Sequence, residues 1–139
     1  MKTIIFISIF IFNITVQAQT LPVLLSLNSL EWKNRIIVVN KTQNQDIYLK
    51  LFKEEVTKIN DRDITWFLIK NNFIHTNYNG TLSNEFIIST KKRLKNFKNK
   101  VILIGKDGGI KSESNYLNLN DIFSDVDSMP MRKLEMQKK

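Results

Sequence analysis

The feature that most constrains this chain is an unbroken apolar run at residues 101–104, followed by Gly105, Lys106 and the turn sequence Asp107-Gly108-Gly109. A continuous apolar run bounded by turn residues is typical of a strand covered on both faces. Asp-Gly supplies the positive-φ positions that a tight hairpin turn needs. We therefore predict a buried strand that turns at the three glycines and returns as an edge strand over residues 110–114.

Two further apolar runs, residues 35–40 and 64–69, have the β-branched and aromatic composition of buried strands. Between them, residues 46–60 carry apolar side chains at helical spacing, which predicts an amphipathic helix. A loop or short helix is expected at residues 27–30. The Asn-rich residues 71–81 are expected to be irregular.

Two more helices follow from capping and proline signals. Ser83 is placed to cap a helix whose apolar face runs from Phe86 to Phe97. Asn120 is the predicted cap of the last helix, which Met129-Pro130 should end or kink.

The predicted order is β-α-β-α-β-β-α, an α/β protein. Strands joined through a helix should be parallel, and the last pair must be antiparallel because its turn is short. This order is the core of a thioredoxin-like fold, with a four-stranded mixed sheet and helices on both faces. A ferredoxin-like arrangement is the alternative, but it requires a hairpin between the early strands, and the sequence shows no signal for one.

The N-terminus has the pattern of a secretory signal. Lys2 precedes an apolar stretch at residues 4–12, and the small residue Ala18 is suitable for cleavage. We predict a signal peptide over residues 1–18 and one domain over residues 19–139, with no membrane span after cleavage. An uncleaved anchor is the alternative, but the run is about half the ~20 residues that a span requires.

Composition excludes several classes of protein. The chain has no Cys, which rules out a disulfide scaffold and thiol redox catalysis, and its single His makes a zinc site improbable. Two acidic pairs, Asp61 with Asp63 and Asp125 with Asp127, lack the spacing of a calcium loop. The net charge of +8 favours anionic partners or surfaces. No metal or cofactor is expected.

Four short motifs occur together in this chain. They are Trp32-Lys33-Asn34-Arg35, Arg62-Asp63, the Gly-Lys-Asp-Gly-Gly of residues 105–109, and Met129-Pro130-Met131-Arg132 with Glu135-Met136. Together they resemble the domain-of-unknown-function 4174 family, over roughly residues 27–136. The resemblance implies a thioredoxin-like fold, export from a bacterial cell, and a relation to the C-terminal domain of sushi-repeat-containing extracellular proteins. It implies no established activity.

The predicted topology brings the charged motif residues to one pole of the sheet. The starts of the first two strands and the end of the third should meet there, and the last helix should return to the same edge. The cluster comprises Arg35, Arg62, Asp63, Lys106, Asp107, Arg132 and Glu135. One interpretation is a structural clamp in which Asp63 and Asp107 pair with Arg35, Arg62 or Arg132. The other is an anion- or peptide-binding site, or an acid–base site using Asp107 or Glu135.

A separate basic face is predicted on the second helix. Lys91, Lys92, Lys95 and Lys98 follow one another without an intervening acid. A solvated surface explains this pattern, and the alternative is a contact for phosphate-rich headgroups or acidic polysaccharide.

These observations predict a secreted or periplasmic, non-redox binding or interaction module rather than an enzyme. Its expected partner is a protein, a peptide or an anionic component of the envelope, and nucleic acid is not the expected partner. The alternatives are a hydrolase that uses the charged cluster, and envelope binding through the basic face.

Overall fold

The computed structural model describes residues 21–40, 43–71, 73–98 and 100–138. The predicted signal peptide, residues 1–18, lies outside the described residues. A 3-10 helix at Leu27–Leu30 precedes the sheet, where a loop or short helix was expected. The remaining elements are β1 (Arg35–Asn40), α1 (Gln45–Glu54), α2 (Val56–Asp61), β2 (Ile64–Lys70), β3 (Phe73–Thr76), α3 (Asn84–Leu94), β4 (Val101–Ile104), β5 (Ile110–Ser114), α4 (Leu119–Ser128) and α5 (Pro130–Gln137).

The strands form one mixed sheet in the order β3-β2-β1-β4-β5. β1 and β2 are parallel, whereas β4 runs antiparallel to both β1 and β5. The prediction of an α/β protein with a mixed sheet and a terminal hairpin is confirmed. The predicted count of four strands is wrong, because β3 adds a fifth.

β3 lies in the segment that was expected to be irregular, and it pairs antiparallel with β2. It is a four-residue edge strand, and its first residue, Phe73, is 76% exposed. The pairing is extended by the side chain of Asn77, which accepts from the Trp66 backbone N–H at 2.8 Å and donates to the Ile64 carbonyl at 3.0 Å. The side chain of Asn77 thus makes the hydrogen bonds that a strand backbone would make. The Asn-rich composition of this segment predicts a turn instead.

The helices follow the predicted caps with one exception. Ser83 Oγ accepts from the Phe86 backbone N–H at 3.0 Å, which confirms the predicted cap of α3. α4 is capped by Asn118 instead of Asn120, since Asn118 Oδ1 accepts from the N–H groups of Asn120 and Asp121. Pro130 occupies the first turn of α5, so the helix breaks where Met129-Pro130 predicted. Within the described ranges, none of the helices combines the length and apolarity that a bilayer crossing requires.

Two hydrophobic layers cover the two faces of the sheet. Alternate residues of β1 point to opposite faces: Ile37 and Val39 pack against α1, α2 and α4, whereas Ile36 and Val38 pack against α3 and the 3-10 helix. β1 is therefore buried on both faces, which explains its unbroken apolar sequence.

The two tryptophans have different environments. Trp66 lies in the core, stacked on Phe52 with ring centroids 4.4 Å apart. Trp32 is 67% exposed and has a positive φ of 62°. Its backbone N–H donates to the Lys106 carbonyl at 2.6 Å, which ties the chain before β1 to the hairpin.

Candidate functional site

The charged motif residues meet at the pole where β1 and β2 begin and β4 ends. In the sheet Arg35 stands opposite Ile64, and Ile36 stands opposite Ile104. α4 and α5 bring the C-terminal motif back to this pole. The placement follows from the strand directions, as the sequence predicted.

Arg35 is the centre of the arrangement and is 1% exposed. Its Nη1 and Nη2 donate to the two carboxylate oxygens of Glu135 at 3.1 and 3.3 Å. Its Nη1 also donates to the Arg62 carbonyl at 2.9 Å. A bidentate pair of this kind fixes the orientation of both side chains, so Glu135 attaches α5 to the start of β1.

Lys106, from the hairpin, shares the same carboxylate. Its Nζ lies 2.7 Å from Glu135 Oε1 and 2.8 Å from Asp63 Oδ2. Asp63 has a positive φ of 50° and lies where α2 passes into β2. Lys106 therefore joins the hairpin, the entry to β2 and α5 at one point.

A second set of pairs lies beside the first. Arg62 donates through Nε and Nη2 to Asp127 at 3.0 and 2.6 Å, and its guanidinium lies 4.7 Å from the ring centroid of Phe123. Arg132 is buried, donates to Asp127 Oδ1 at 3.2 Å, and binds both the carbonyl and the carboxylate of Asp61. These pairs attach α4 and α5 to the end of α2.

We call these residues the charged clamp: Arg35, Asp61, Arg62, Asp63, Lys106, Asp127, Arg132 and Glu135. Burial alone would raise the pKa of Glu135, but hydrogen bonds from Lys106 and Arg35 outweigh burial and lower it. The pKa of Asp127 is lowered in the same way by Arg62 and Arg132. Both carboxylates are therefore fully ionised at neutral pH.

Asp107 differs from its predicted role as a partner of an arginine. Its Oδ2 lies 2.7 Å from Lys111 Nζ, and its Oδ1 accepts from the Gly109 backbone N–H at 3.1 Å. These hydrogen bonds, with Lys111 contributing most, lower the pKa of Asp107. The reason is geometric: the carboxylate turns back over its own hairpin and closes the turn.

The predicted turn glycines have unequal roles. Gly108 has a φ of 77°, a conformation that L side chains rarely adopt. Gly105 closes the hairpin by donating to the Gly109 carbonyl at 2.8 Å. Gly109 has room for a Cβ at ordinary contact distance, so the hairpin requires a glycine there less strictly.

A groove of about 580 Å³ adjoins the charged clamp. Arg35 lines it, and within the described ranges its Nε is a buried donor without a hydrogen-bond partner. Asp125 also lines it, and within the described parts of the chain its carboxylate forms no ion pair. The other lining residues are Gly105, Lys106, Asp107, Lys111, Ser112, Ser128, Met129, Pro130 and Met131.

Sequence reasoning missed three acidic residues at this pole. Asp61 and Asp127 belong to the charged clamp, and Asp125 lines the groove, whereas the sequence pattern marks all three only as part of acidic pairs without calcium-loop spacing. Their positions in the chain are the signal that could have identified them. Asp61 is the last residue of α2, and Asp125 and Asp127 lie in the last turn of α4, shortly before Pro130. Among described residues, no three His, Cys, Asp or Glu side chains form a group that could hold a metal ion.

The predicted basic face lies away from this pole. Lys91 and Lys92 are in the last turn of α3, but Lys95 and Lys98 follow the end of the helix, because α3 ends at Leu94. All four side chains are exposed. Arg93, from the same run, turns inward and donates to the Gly108 carbonyl at 2.8 Å.

Comparison with known proteins gives one result for this chain. Residues 26–135 match the model of a family described as Domain of unknown function (DUF4174). The match spans every motif residue of the charged clamp and both strands of the hairpin. No curated protein and no solved structure matches the chain.

Proposed function

The chain belongs to the DUF4174 family, and on that premise we propose that it is an exported, non-redox, thioredoxin-like binding module. Its ligand site is the groove beside the charged clamp. The observation that carries this proposal is that Arg35 and Asp125 line the same groove: Arg35 Nε is a buried donor, and neither it nor the Asp125 carboxylate has a partner among the described residues.

The thioredoxin-like assignment is supported by strand order. The segment β2-β1-β4-β5, with β1 and β2 parallel and β4 reversed, has the order and directions that this fold requires. β3 extends the edge beside β2. A ferredoxin-like sheet would separate β1 from β2, whereas here they are neighbours. The proposed relation to the sushi-repeat proteins depends on this assignment and on the family resemblance.

The chemistry of the groove fits a peptide segment. An unpaired buried N–H is costly, about 1–3 kcal/mol, and a ligand carbonyl would satisfy it. The Asp125 carboxylate would pair with a cationic side chain of the same ligand. Met129 and Met131 supply adaptable apolar walls. The ligand class is therefore an extended peptide that carries a Lys or Arg side chain.

Acid–base catalysis by the cluster, the competing proposal, has less support. A general acid or base works best with a pKa near the operating pH. The pKa values of Asp107, Asp127 and Glu135 are all lowered, so these groups hold no proton at neutral pH. Each of them is also engaged by a cationic side chain.

The test is a titration of the ¹⁵N-labelled protein with N-acetylated tetrapeptides that differ at one position. Peptides with Lys or Arg should shift the amide signals of Lys111, Ser112 and Met131, and Glu or Leu peptides should shift them less. Asp125→Asn should weaken binding of the Lys peptide about tenfold, the loss of one charged hydrogen bond.

Asp121→Asn is the matched control, because Asp121 is also exposed on α4 but does not line the groove. Equal weakening by both variants, or the absence of any shift with the Lys peptide, would overturn the proposed ligand class.

The proposed location, secreted or periplasmic, is tested separately from the ligand. Expression of the full chain in a bacterial host should yield a protein in the periplasmic or medium fraction whose N-terminal sequence begins at residue 19. Recovery of the intact N-terminus in the cytoplasmic fraction would contradict export.

A further inference from the structure

A second and larger cavity, of about 910 Å³, lies at the opposite pole, where β1 and β2 end. It is framed by the last residues of two adjacent parallel strands, the start of α1 and the end of α3. Its lining residues are Asn40, Gln43, Gln45, Ile69, Lys70, Asn71, Lys91, Lys92, Leu94 and Lys95. It shares no residue with the groove beside the charged clamp.

Gln45 is the first sign that this cavity is built for a ligand. The residue is 7% exposed, and its Nε2 has no hydrogen-bond partner among the described residues. Burying an amide donor without a partner lowers the stability of the folded state. A ligand oxygen in the cavity would remove that cost.

The start of α1 adds donors at the same place. Gln45 opens this ten-residue helix, and the side chain of Asn44 does not cap it. The first-turn N–H groups of a helix have no intrahelical partners and carry a partial positive charge. Asp46, the acidic residue of that turn, lines a different surface concavity.

Among the described residues, four lysines and no acidic residue line the cavity. Lys70 comes from β2, whereas Lys91, Lys92 and Lys95 come from α3 and its end. Within the described ranges, Lys70, Lys92 and Lys95 form no ion pair. The dipole of α3 partly stabilises the lysines in its last turn, but it does not stabilise Lys70. Like charges gathered around one cavity repel one another until an anion binds.

The position agrees with the chemistry. In open α/β sheets, ligands bind in the crevice outside the carboxyl ends of the strands, and helix N-termini there hold anionic groups. Cysteine chemistry is excluded, because the chain has no Cys. The crevice at this edge of the sheet is lined instead by the ammonium groups of lysines and by side-chain amides.

We propose that this cavity binds the phosphate group of a phosphorylated organic ligand. Donors approach from three elements, α1, β2 and α3, which suits a tetrahedral oxyanion with three or four acceptor oxygens better than a planar carboxylate. The volume is in the range of about 300–1,000 Å³ that holds an organic ligand, so the phosphate is the anchor of a larger molecule. That molecule is a soluble phosphomonoester or a phospholipid headgroup.

The experiment is calorimetric titration of the protein with glycerol 3-phosphate in 50 mM and 300 mM NaCl. Binding should weaken in the higher salt, because exposed lysines are screened. Gln45→Met and Lys95→Gln should each reduce the affinity at least tenfold. Lys98→Gln, which removes an exposed charge of the same run outside the cavity, should leave the affinity within twofold.

Gln45→Met also separates a binding role from a structural role. Because the variant removes an unsatisfied buried amide, its thermal midpoint should equal or exceed that of the parent protein, while its affinity for glycerol 3-phosphate falls at least tenfold. A lowered midpoint would show that Gln45 supports the fold, and it would overturn the assignment.

Flotation with vesicles containing phosphatidic acid distinguishes the two sources of phosphate. Vesicle binding that depends on Gln45, with weak binding of glycerol 3-phosphate, identifies a lipid headgroup. The reverse identifies a soluble phosphomonoester. Binding of neither probe, or equal loss in Lys95→Gln and Lys98→Gln, would overturn the proposal. The peptide titration concerns the other pole, so each proposal can fail without the other.

Discussion

At the scale of single residues, the most consequential side chain is Arg35. Among the described residues it is one of the largest fully buried side chains, and it carries a full charge into the base of the sheet. Burying a charge is expensive unless it is paired and hydrogen-bonded. Glu135, which lies one hundred residues later in the chain, supplies the counter-charge. Replacing either partner alone therefore affects stability more than an ordinary surface pair would.

Glu135→Gln should lower the free energy of unfolding by about 2 kcal/mol, because it leaves the buried guanidinium of Arg35 without its counter-charge. Glu54→Gln is the control, since Glu54 pairs with Lys50 on an exposed helix surface. It should cost less than about 0.5 kcal/mol. Urea denaturation measures both values, and equal costs would contradict the role assigned to the charged clamp.

The lowered pKa of Glu135 predicts a defined acid sensitivity. Its ordinary value is 4.5, so the unfolded state binds this proton more readily than the folded state. The contribution of the pair is complete above about pH 4.5 and is lost as the pH falls below that value. Urea midpoints between pH 3 and 7 should show this decline, and Glu135→Gln should shift its onset to lower pH.

At the scale of elements, sequence patterns predicted what depends on neighbouring residues in the chain. The buried strands β1, β2 and β4, the hairpin return and the cap at Ser83 all agree with those patterns. The sequence patterns did not predict β3, because a short edge strand pairs with only one neighbouring strand and leaves a weak pattern. In addition, the side chain of Asn77 completes its pairing with β2. Strand directions are enough to predict that the charged motif residues meet at one pole. They are not enough to predict the partner of Asp107, because that depends on side-chain orientation.

The cap of α4 gives a direct test of one such difference. Asn118→Ala should lower the free energy of unfolding by about 1 kcal/mol, because it removes the acceptor for the first N–H groups of the helix. Asn120→Ala should be neutral or slightly stabilising, since Asn120 lies inside the helix and alanine is the better helix former. Thermal unfolding of the two variants decides between the predicted and the observed cap.

The hairpin turn provides a second matched pair. Gly108→Ala places a Cβ at a φ of 77° and should cost about 1–2 kcal/mol. Gly109→Ala meets only ordinary contacts and should cost less than the Gly108 change. Similar losses in both variants would show that the turn constrains the two positions alike.

At the scale of the whole molecule, two poles of the same sheet have different electrostatic character. At the clamp pole, arginines and lysines alternate with carboxylates, so the charges are largely compensated. At the opposite pole, lysines gather around a cavity without a lining acid among the described residues. The sequence indicated a basic run, but only the sheet topology shows that Lys70 and Gln45 join it.

Removal of α5 tests the dependence of the whole fold on the clamp. A chain ending at Met129 loses Arg132 and Glu135, and with Glu135 it loses the counter-charge of Arg35 and one of the two charge partners of Lys106. We expect no cooperative thermal transition in this variant. A chain ending at Gln137 keeps both residues and should melt like the parent protein. Circular dichroism on heating distinguishes the two results.

The pairing of Arg35 with Glu135 also determines when the fold can be completed. On the ribosome β1 emerges early, whereas α5 emerges about a hundred residues later, so the guanidinium cannot be enclosed until then. Until α5 is present, the guanidinium of Arg35 stays open to water at this end of the chain's sheet. Docking of α5 brings Glu135 onto Arg35 and closes this end of the sheet.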